Sequence, residues 1–200
     1  MSEHYYSERP SAKSNRKTFT YDLRGKEFRF VTDAGVFSKS EVDFGSRILI
    51  ESFESPEEDG NILDIGCGYG PIGLAVAAAE PMRMVDMIDI NERAIELAKE
   101  NAQINQVKNV SIFQSDLFEK INEKQYAAIL TNPPIRAGKH VVFSIFEGSF
   151  HHLVPGGELW VVIQKKQGAS SALKKLKELF SFVEVVEKKK GYYIIKAKKD

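Results

Sequence analysis

Apolar and polar positions follow two rhythms along this chain. Residues 17–23 and 27–31 alternate apolar and polar side chains about Arg24-Gly25-Lys26, the period-two pattern of a half-buried β-hairpin. Next, Val42, Ile48, Leu49 and Phe53 fall on one side of a helix predicted over about 39–54, which Ser55-Pro56 ends. From residue 61 short apolar runs suited to buried strands (near 61–65, 84–88, 109–113, 126–130, 157–163, 182–187 and 191–197) alternate with helical stretches near 71–79, 91–103, 140–153 and 169–180. Strand–helix alternation implies a parallel sheet, because each parallel pairing needs a crossover. Only the link at Lys188-Lys189-Lys190-Gly191 is too short for one, so the last two strands must form an antiparallel hairpin. The expected fold is a doubly wound α/β domain: a seven-stranded, mostly parallel sheet with one antiparallel C-terminal strand, preceded by an N-terminal β-hairpin.

In such sheets ligands bind beyond the carboxyl ends of the strands. The run Asn61-Ile62-Leu63-Asp64-Ile65-Gly66-Cys67-Gly68-Tyr69-Gly70-Pro71-Ile72-Gly73 carries an apolar strand through a glycine-rich turn into a helix. Backbone N–H groups there can approach a ligand closely. Gly68-x-Gly70-x-x-Gly73 also satisfies the dinucleotide fingerprint, so the glycines alone do not distinguish NAD from another nucleoside. Asp64 does, since a carboxylate just ahead of the first glycine suits a cationic amino-acid moiety better than a pyrophosphate. Asp89 ends the next strand, where a carboxylate can take both hydroxyls of a ribose. Asp116 ends the run 110–115, placed to accept from the exocyclic amine of adenine.

The fourth strand runs into Thr131-Asn132-Pro133-Pro134-Ile135. Each proline fixes its own φ, and Pro134 forces Pro133 into an extended conformation, so the Asn132 amide oxygen and the Pro133 carbonyl are held convergent. Two fixed acceptors can grip one NH₂ group. Its lone pair, delocalised in an aromatic or amide amine, is thereby drawn out toward an electrophile by orientation rather than by bulk proton abstraction.

Together the acid-G-x-G-x-G turn, the two later strand-end acids and the N-P-P-x string resemble the class I S-adenosylmethionine-dependent methyltransferases over roughly residues 36–197. Asp33-Ala34-Gly35-Val36-Phe37-Ser38 and Asp43-Phe44-Gly45-Ser46 look like the lead-in of the small-subunit ribosomal RNA guanine-N2 methyltransferase C family, here in single-domain form. The resemblance implies a Rossmann-like methyltransferase fold and S-adenosyl-L-methionine as cofactor. It implies cofactor binding by Asp64, Gly66, Cys67, Gly68, Gly70, Asp89, Ile90, Asp116, Leu117 and Asn132, and catalysis by Asn132, Pro133, Pro134 and Ile135. The implied reaction is methylation of the exocyclic N2 amine of a guanine in small-subunit ribosomal RNA; protein glutamine N5-methylation is the alternative, followed by a non-catalytic cofactor- or RNA-binding module. An NAD-dependent oxidoreductase would leave N-P-P without a task. The family's last motif position usually holds an aromatic ring that stacks on the target; here it is Ile135, and Phe37, His140 or Phe143 could supply the ring.

Composition fits one domain over residues 1–200, because a chain of 200 residues with 42% hydrophobic content can bury roughly 70% of its unfolded surface. Residues 1–14 read as a mobile tail, 17–31 as the hairpin and 36–197 as the cofactor-binding and catalytic core. The single cysteine, Cys67, supplies neither a disulfide framework nor a metal-ligand set, and no signal or membrane-spanning segment is apparent, so a cytoplasmic protein, monomer or homodimer, is expected. The formal net charge of zero hides an asymmetry: residues 1–30 carry 7 basic and 4 acidic groups, 31–160 carry 10 and 20, and 161–200 carry 11 and 4. Basic ends around an acidic centre point to a local polyanion-binding surface, with ribosomal RNA or a small-subunit assembly intermediate as partner. Lys13, Arg16 and Lys17 in the arm, with Lys165, Lys166, Lys188, Lys189, Lys190, Lys196, Lys198 and Lys199, are its candidates. His151 and His152, on an apolar helix, are expected to pack or cap.

Overall fold

A computed structural model describes residues 8–10, 12–38, 41–122 and 125–200. Strands β1 (Lys17–Leu23) and β2 (Lys26–Thr32) form an antiparallel two-stranded sheet. The main sheet comprises β3 (Asn61–Ile65), β4 (Val85–Asp89), β5 (Val110–Gln114), β6 (Tyr126–Thr131), β7 (Leu153–Gln164), β8 (Phe182–Lys189) and β9 (Tyr192–Lys198), in the order β5-β4-β3-β6-β7-β9-β8. Only β9 runs antiparallel to its neighbours, inserted between β7 and β8. Its Ile194, Ile195 and Ala197 are buried, whereas β8 carries Glu187, Lys188 and Lys189 exposed on the edge. Charge on the outer strand discourages pairing with another chain.

Helices cover both faces, as parallel strands require. Helices α1 (Phe44–Ser52), α2 (Pro71–Ala79) and α3 (Glu92–Ile104) pack with the hairpin on one face, against Ile62, Val85, Ala128 and Trp160. Helices α4 (Lys139–His152) and α5 (Ala169–Leu179) cover Leu63, Ile129, Leu159 and Ile195 on the other. Successive side chains of a strand thus enter opposite layers, and central β6 is buried at every position. His151 and His152 fall in the last turn of α4, where His152 stacks on Phe118 with ring centroids 4.6 Å apart.

Three boundaries differ from the sequence reading. The helix expected from residue 39 starts at Phe44 instead, because the Asp43 carboxylate caps it by accepting from the Ser46 N–H at 3.0 Å; positions 39–40 lie outside the described residues. Strand β7 begins at Leu153 rather than near residue 157, and Leu153 pairs with Tyr126 across a break in register, so residues 153–156 join the sheet. Gly157 makes this possible, as a Cβ there would lie 3.0 Å from the Tyr126 carbonyl oxygen.

The third difference concerns the N-terminal arm, of which residues 1–7 and 11 lie outside the described set. The remainder of the expected mobile tail is strapped to the body: Glu92 N–H donates to the Glu8 carbonyl, Arg93 to that of Ala12, and the Ser14 hydroxyl to Asp33 at 2.7 Å. The hairpin is docked as well. Asn101 on α3 both accepts from Val31 N–H (2.7 Å) and donates to its carbonyl (2.9 Å), satisfying the edge of β2 as a neighbouring strand would. No helix among the described residues is long and apolar enough to cross a membrane.

Candidate active site

The Thr131 hydroxyl donates to the Ile65 carbonyl at 3.0 Å, holding the ends of β6 and β3 together and setting Asn132 beside the glycine turn. That turn is anchored to β4, since the N–H groups of Gly66 and Cys67 both donate to the Ile88 carbonyl at 2.9 Å. Gly66 and Gly68 have φ of 73° and 57°, in the left-handed region that glycine enters without steric cost, and a Cβ on either would project into open space. Both glycines and Cys67 line a cavity that opens to solvent at the carboxyl ends of β3, β4 and β6. Burial pushes the Cys67 thiol pKa well up, which disfavours the thiolate form.

Asp89 and Ile90 line the same cavity. The Asp89 carboxylate accepts from Gly68 N–H and from Asn91 N–H, each at 2.9 Å, and so ties the turn to the start of α3. Burial raises its pKa, while the backbone donors of Asn91, Gly68 and Ile90 work against the rise. Leu117 forms part of the opposite wall with φ of 45°, a strained value for a branched side chain. Ser115 holds it there, its hydroxyl donating to the Leu117 carbonyl at 2.9 Å.

Four residues expected at the site do not line the cavity. Asp64 is buried, and one carboxylate oxygen accepts from Gly73 N–H in the first turn of α2 at 2.8 Å; the other oxygen has no hydrogen-bond partner among the described residues. Burial lifts its pKa to about 7, Gly73 lowers it and the charge of Asp89 adds to the rise. Gly70 caps α2 with φ of 104° and faces Leu74 and Met87. Asp116 is exposed, between the cavity-lining Ser115 and Leu117. Ile135 opens a 3-10 turn (Ile135–Ala137) and packs on the α4 side of the sheet, whereas Pro133 and Pro134 do face the cavity. Of the three rings considered in place of Ile135, Phe37 lines the cavity; Phe143 lies against Phe146 and His140 is exposed, neither of them on the lining.

Asn132 reveals two residues whose roles the sequence reading did not assign. Its amide nitrogen donates to the Asp43 carboxylate and to the Ser46 hydroxyl, both at 3.0 Å. An ionised carboxylate can only accept, so the NH₂ branch must face it. The amide oxygen is therefore the branch left without a partner among the described residues, on a side chain that lines the cavity. The signal lay in Asp43-x-x-Ser46, an N-cap spacing whose cap residue serves the site as well. A fixed acceptor beside a rigid diproline and an open glycine-lined cradle can orient an amine.

The sequence matches the methyltransferase small domain over residues 27–196. The chain belongs to this family. Uncharacterized protein YbxB of Bacillus subtilis is 65% identical over 200 residues, covering 100% of both chains. Ribosomal RNA small subunit methyltransferase C of Vibrio cholerae is 33% identical over 190 residues, 92% of this chain and 53% of that protein. Ribosomal RNA large subunit methyltransferase G of Colwellia psychrerythraea is 30% identical over 78% of this chain and 42% of its own length. Among solved structures, the T. thermophilus 16S rRNA N2 methyltransferase RsmC, in complex with AdoMet and guanosine, superposes with a TM-score of 0.83 at 25% identity, over 92% of this chain and 51% of that one. The chain thus spans about half the length of the ribosomal RNA methyltransferases it matches.

Proposed function

We propose that this methyltransferase-family protein transfers a methyl group from S-adenosyl-L-methionine to the exocyclic N2 amine of a guanine in RNA, most specifically small-subunit ribosomal RNA. The observation that carries the reading is the Asn132 amide, pinned by Asp43 and Ser46 with its oxygen unspent. The open faces of Gly66 and Gly68 and the carboxylate of Asp89 suit the cofactor's backbone-hugging chain and ribose; Asp116, beside two lining residues, is assigned to the adenine amine. When bound, that cofactor supplies a methyl group activated on a sulfonium. Asn132 and the Pro133 carbonyl accept from the two amine hydrogens, turn the nitrogen lone pair toward the methyl group and stabilise the positive charge that develops on nitrogen. The proton leaves afterwards to solvent, so no strong base is needed. Phe37, which lines the cavity, is the ring assigned to stack on the target base. The RNA methyltransferase names of the relatives and the guanosine in the T. thermophilus complex support guanine over glutamine.

The experiment is tritiated methyl transfer to the RNA and protein fractions of a cell extract, followed by digestion of the RNA and separation of its nucleosides. N2-methylguanosine is expected. N6-methyladenosine would change the base, and label found only in protein would replace this reading with glutamine methylation.

A further inference from the structure

The lysines of the C-terminal quarter form one group in the sequence but two in space. Strand β9 begins at Tyr192, opposite Gln164 at the carboxyl end of β7, and ends at Lys198, opposite Glu158. At about 3.3 Å per residue the eight positions from Lys190 to Lys198 span roughly 26 Å. Lys196 and Lys198 are already spent. Lys196 pairs with Glu184 at 2.8 Å and Lys198 with Glu58 at 3.3 Å, while Lys199 donates to the Leu153 carbonyl at 2.7 Å.

The other set lies at the carboxyl edge, the edge that carries Asn132. Lys165 and Lys166 follow directly from β7, and Lys165 N–H donates to the Gly191 carbonyl at 2.8 Å, which joins this turn to Lys188, Lys189 and Lys190. All five side chains are exposed, and none has a salt bridge among the described residues. Their nearest carboxylate in the chain, Glu187, is exposed on β8 and accepts from the Lys188 backbone N–H. Two contacts connect the group to the amine grip. Lys190 Nζ lies 5.1 Å from the Phe44 ring centre, and Tyr192 packs so closely on α1 that a Cβ on Gly45 would come within 2.8 Å of its ring. Phe44 and Gly45 directly follow Asp43, the residue that holds Asn132. Arg47, one turn along α1, covers Phe44 as well, at 4.8 Å.

Resting on the RNA reading above, we propose that Lys165, Lys166, Lys188, Lys189 and Lys190, with Arg47, form the surface that holds the phosphates flanking the target nucleotide. Lys196, Lys198 and Lys199 take no part. Cations without a carboxylate partner among the described residues, gathered along the sheet edge that carries Asn132, attract a polyanion, and the displaced counterions make its binding salt-dependent. Fixed phosphates on this side would direct the flipped base toward Asn132.

The test compares three double variants of equal charge: Lys188→Gln with Lys190→Gln, Lys165→Gln with Lys166→Gln, and Lys174→Gln with Lys177→Gln on the exposed side of α5. The probe is an RNA hairpin with an unpaired guanine, its dissociation constant measured against potassium chloride concentration. The first two variants should each flatten the slope of log K against log salt by about 1–2 and raise KM for the RNA. The α5 variant should match the wild type, and S-adenosylhomocysteine affinity and melting temperature should hold in all three. Equal changes in all three variants, or none in the first two, would overturn the assignment while N2-methylguanosine formation still upheld the RNA reading. Failure of the wild type to bind or methylate RNA would overturn both.

Discussion

The Asp43 carboxylate and the Asn132 amide nitrogen meet at 3.0 Å although 89 positions separate them in the chain. The same carboxylate oxygen caps α1 through Ser46 N–H, so the helix start and the Asn132 side chain share one anchor. If this contact sets the amide's orientation, Asp43→Ser, which keeps a capping hydroxyl but is too short to reach Asn132, should lower kcat by on the order of 10²-fold, the scale of a misaligned reacting group. Ser46→Ala should lower it less, because one of the two acceptors remains. S-adenosylhomocysteine affinity should stay near wild type in both, and a loss of cofactor binding equal to the loss of rate would mean that only the fold had suffered.

Removing the Asn132 amide is the sharper test of the proposed role. Asn132→Ala should reduce kcat by on the order of 10²–10³-fold with little effect on cofactor binding, the usual scale for one preorganised polar group. If the proposed transfer needs no strong base, the wild-type rate should be nearly flat from neutral to mildly alkaline pH. A steep rise through a histidine-like transition would implicate a base such as His140.

Asp89 lines the cavity and also has a structural role, since its oxygens hold Gly68 and Asn91. Asp89→Ala should therefore weaken S-adenosylhomocysteine binding by at least the roughly 1.5–3 kcal/mol of a charged hydrogen bond, about 10–100-fold. Titration calorimetry gives this directly, and an unchanged constant rules out the ribose assignment. For Asp116→Asn, losses should be larger with adenosine cofactors than with inosine analogues.

Asp64 predicts a pH dependence of stability. Its pKa rises from an ordinary 3.8 to about 7 on folding. The folded chain therefore binds more protons than the unfolded one between those values. Stability is fully present below the unfolded pKa and falls as pH rises through about 7, by up to ~4 kcal/mol for a shift of this size. Asp64→Asn keeps an acceptor for Gly73 N–H and cannot ionise. Urea unfolding at mildly acidic and mildly alkaline pH should show a smaller decline in the variant than in wild type, the remainder arising in part from Asp89, which is shifted in the same direction. Parallel declines would show that Asp64 is ionised without penalty.

What the sequence determined by itself is local in origin. Strand and helix order followed from hydrophobic period, the cradle from glycines that permit a left-handed turn, and the rigid acceptor from two adjacent prolines; β9 was antiparallel because four residues cannot cross a sheet. Pairings across long separations were decided only by tertiary structure, because they depend on register and on which face a side chain takes. Packing sent Asp64 toward α2, turned Ile135 onto the α4 side, and brought Asp43 to Asn132. Strand register also separated Lys190 from Lys198 by the length of β9, leaving one lysine group at the strand-end edge that carries Asn132, while Lys196 and Lys198 pair with carboxylates and Lys199 with the Leu153 carbonyl. Composition counts such charges identically; only their positions separate unpaired lysines from paired ones.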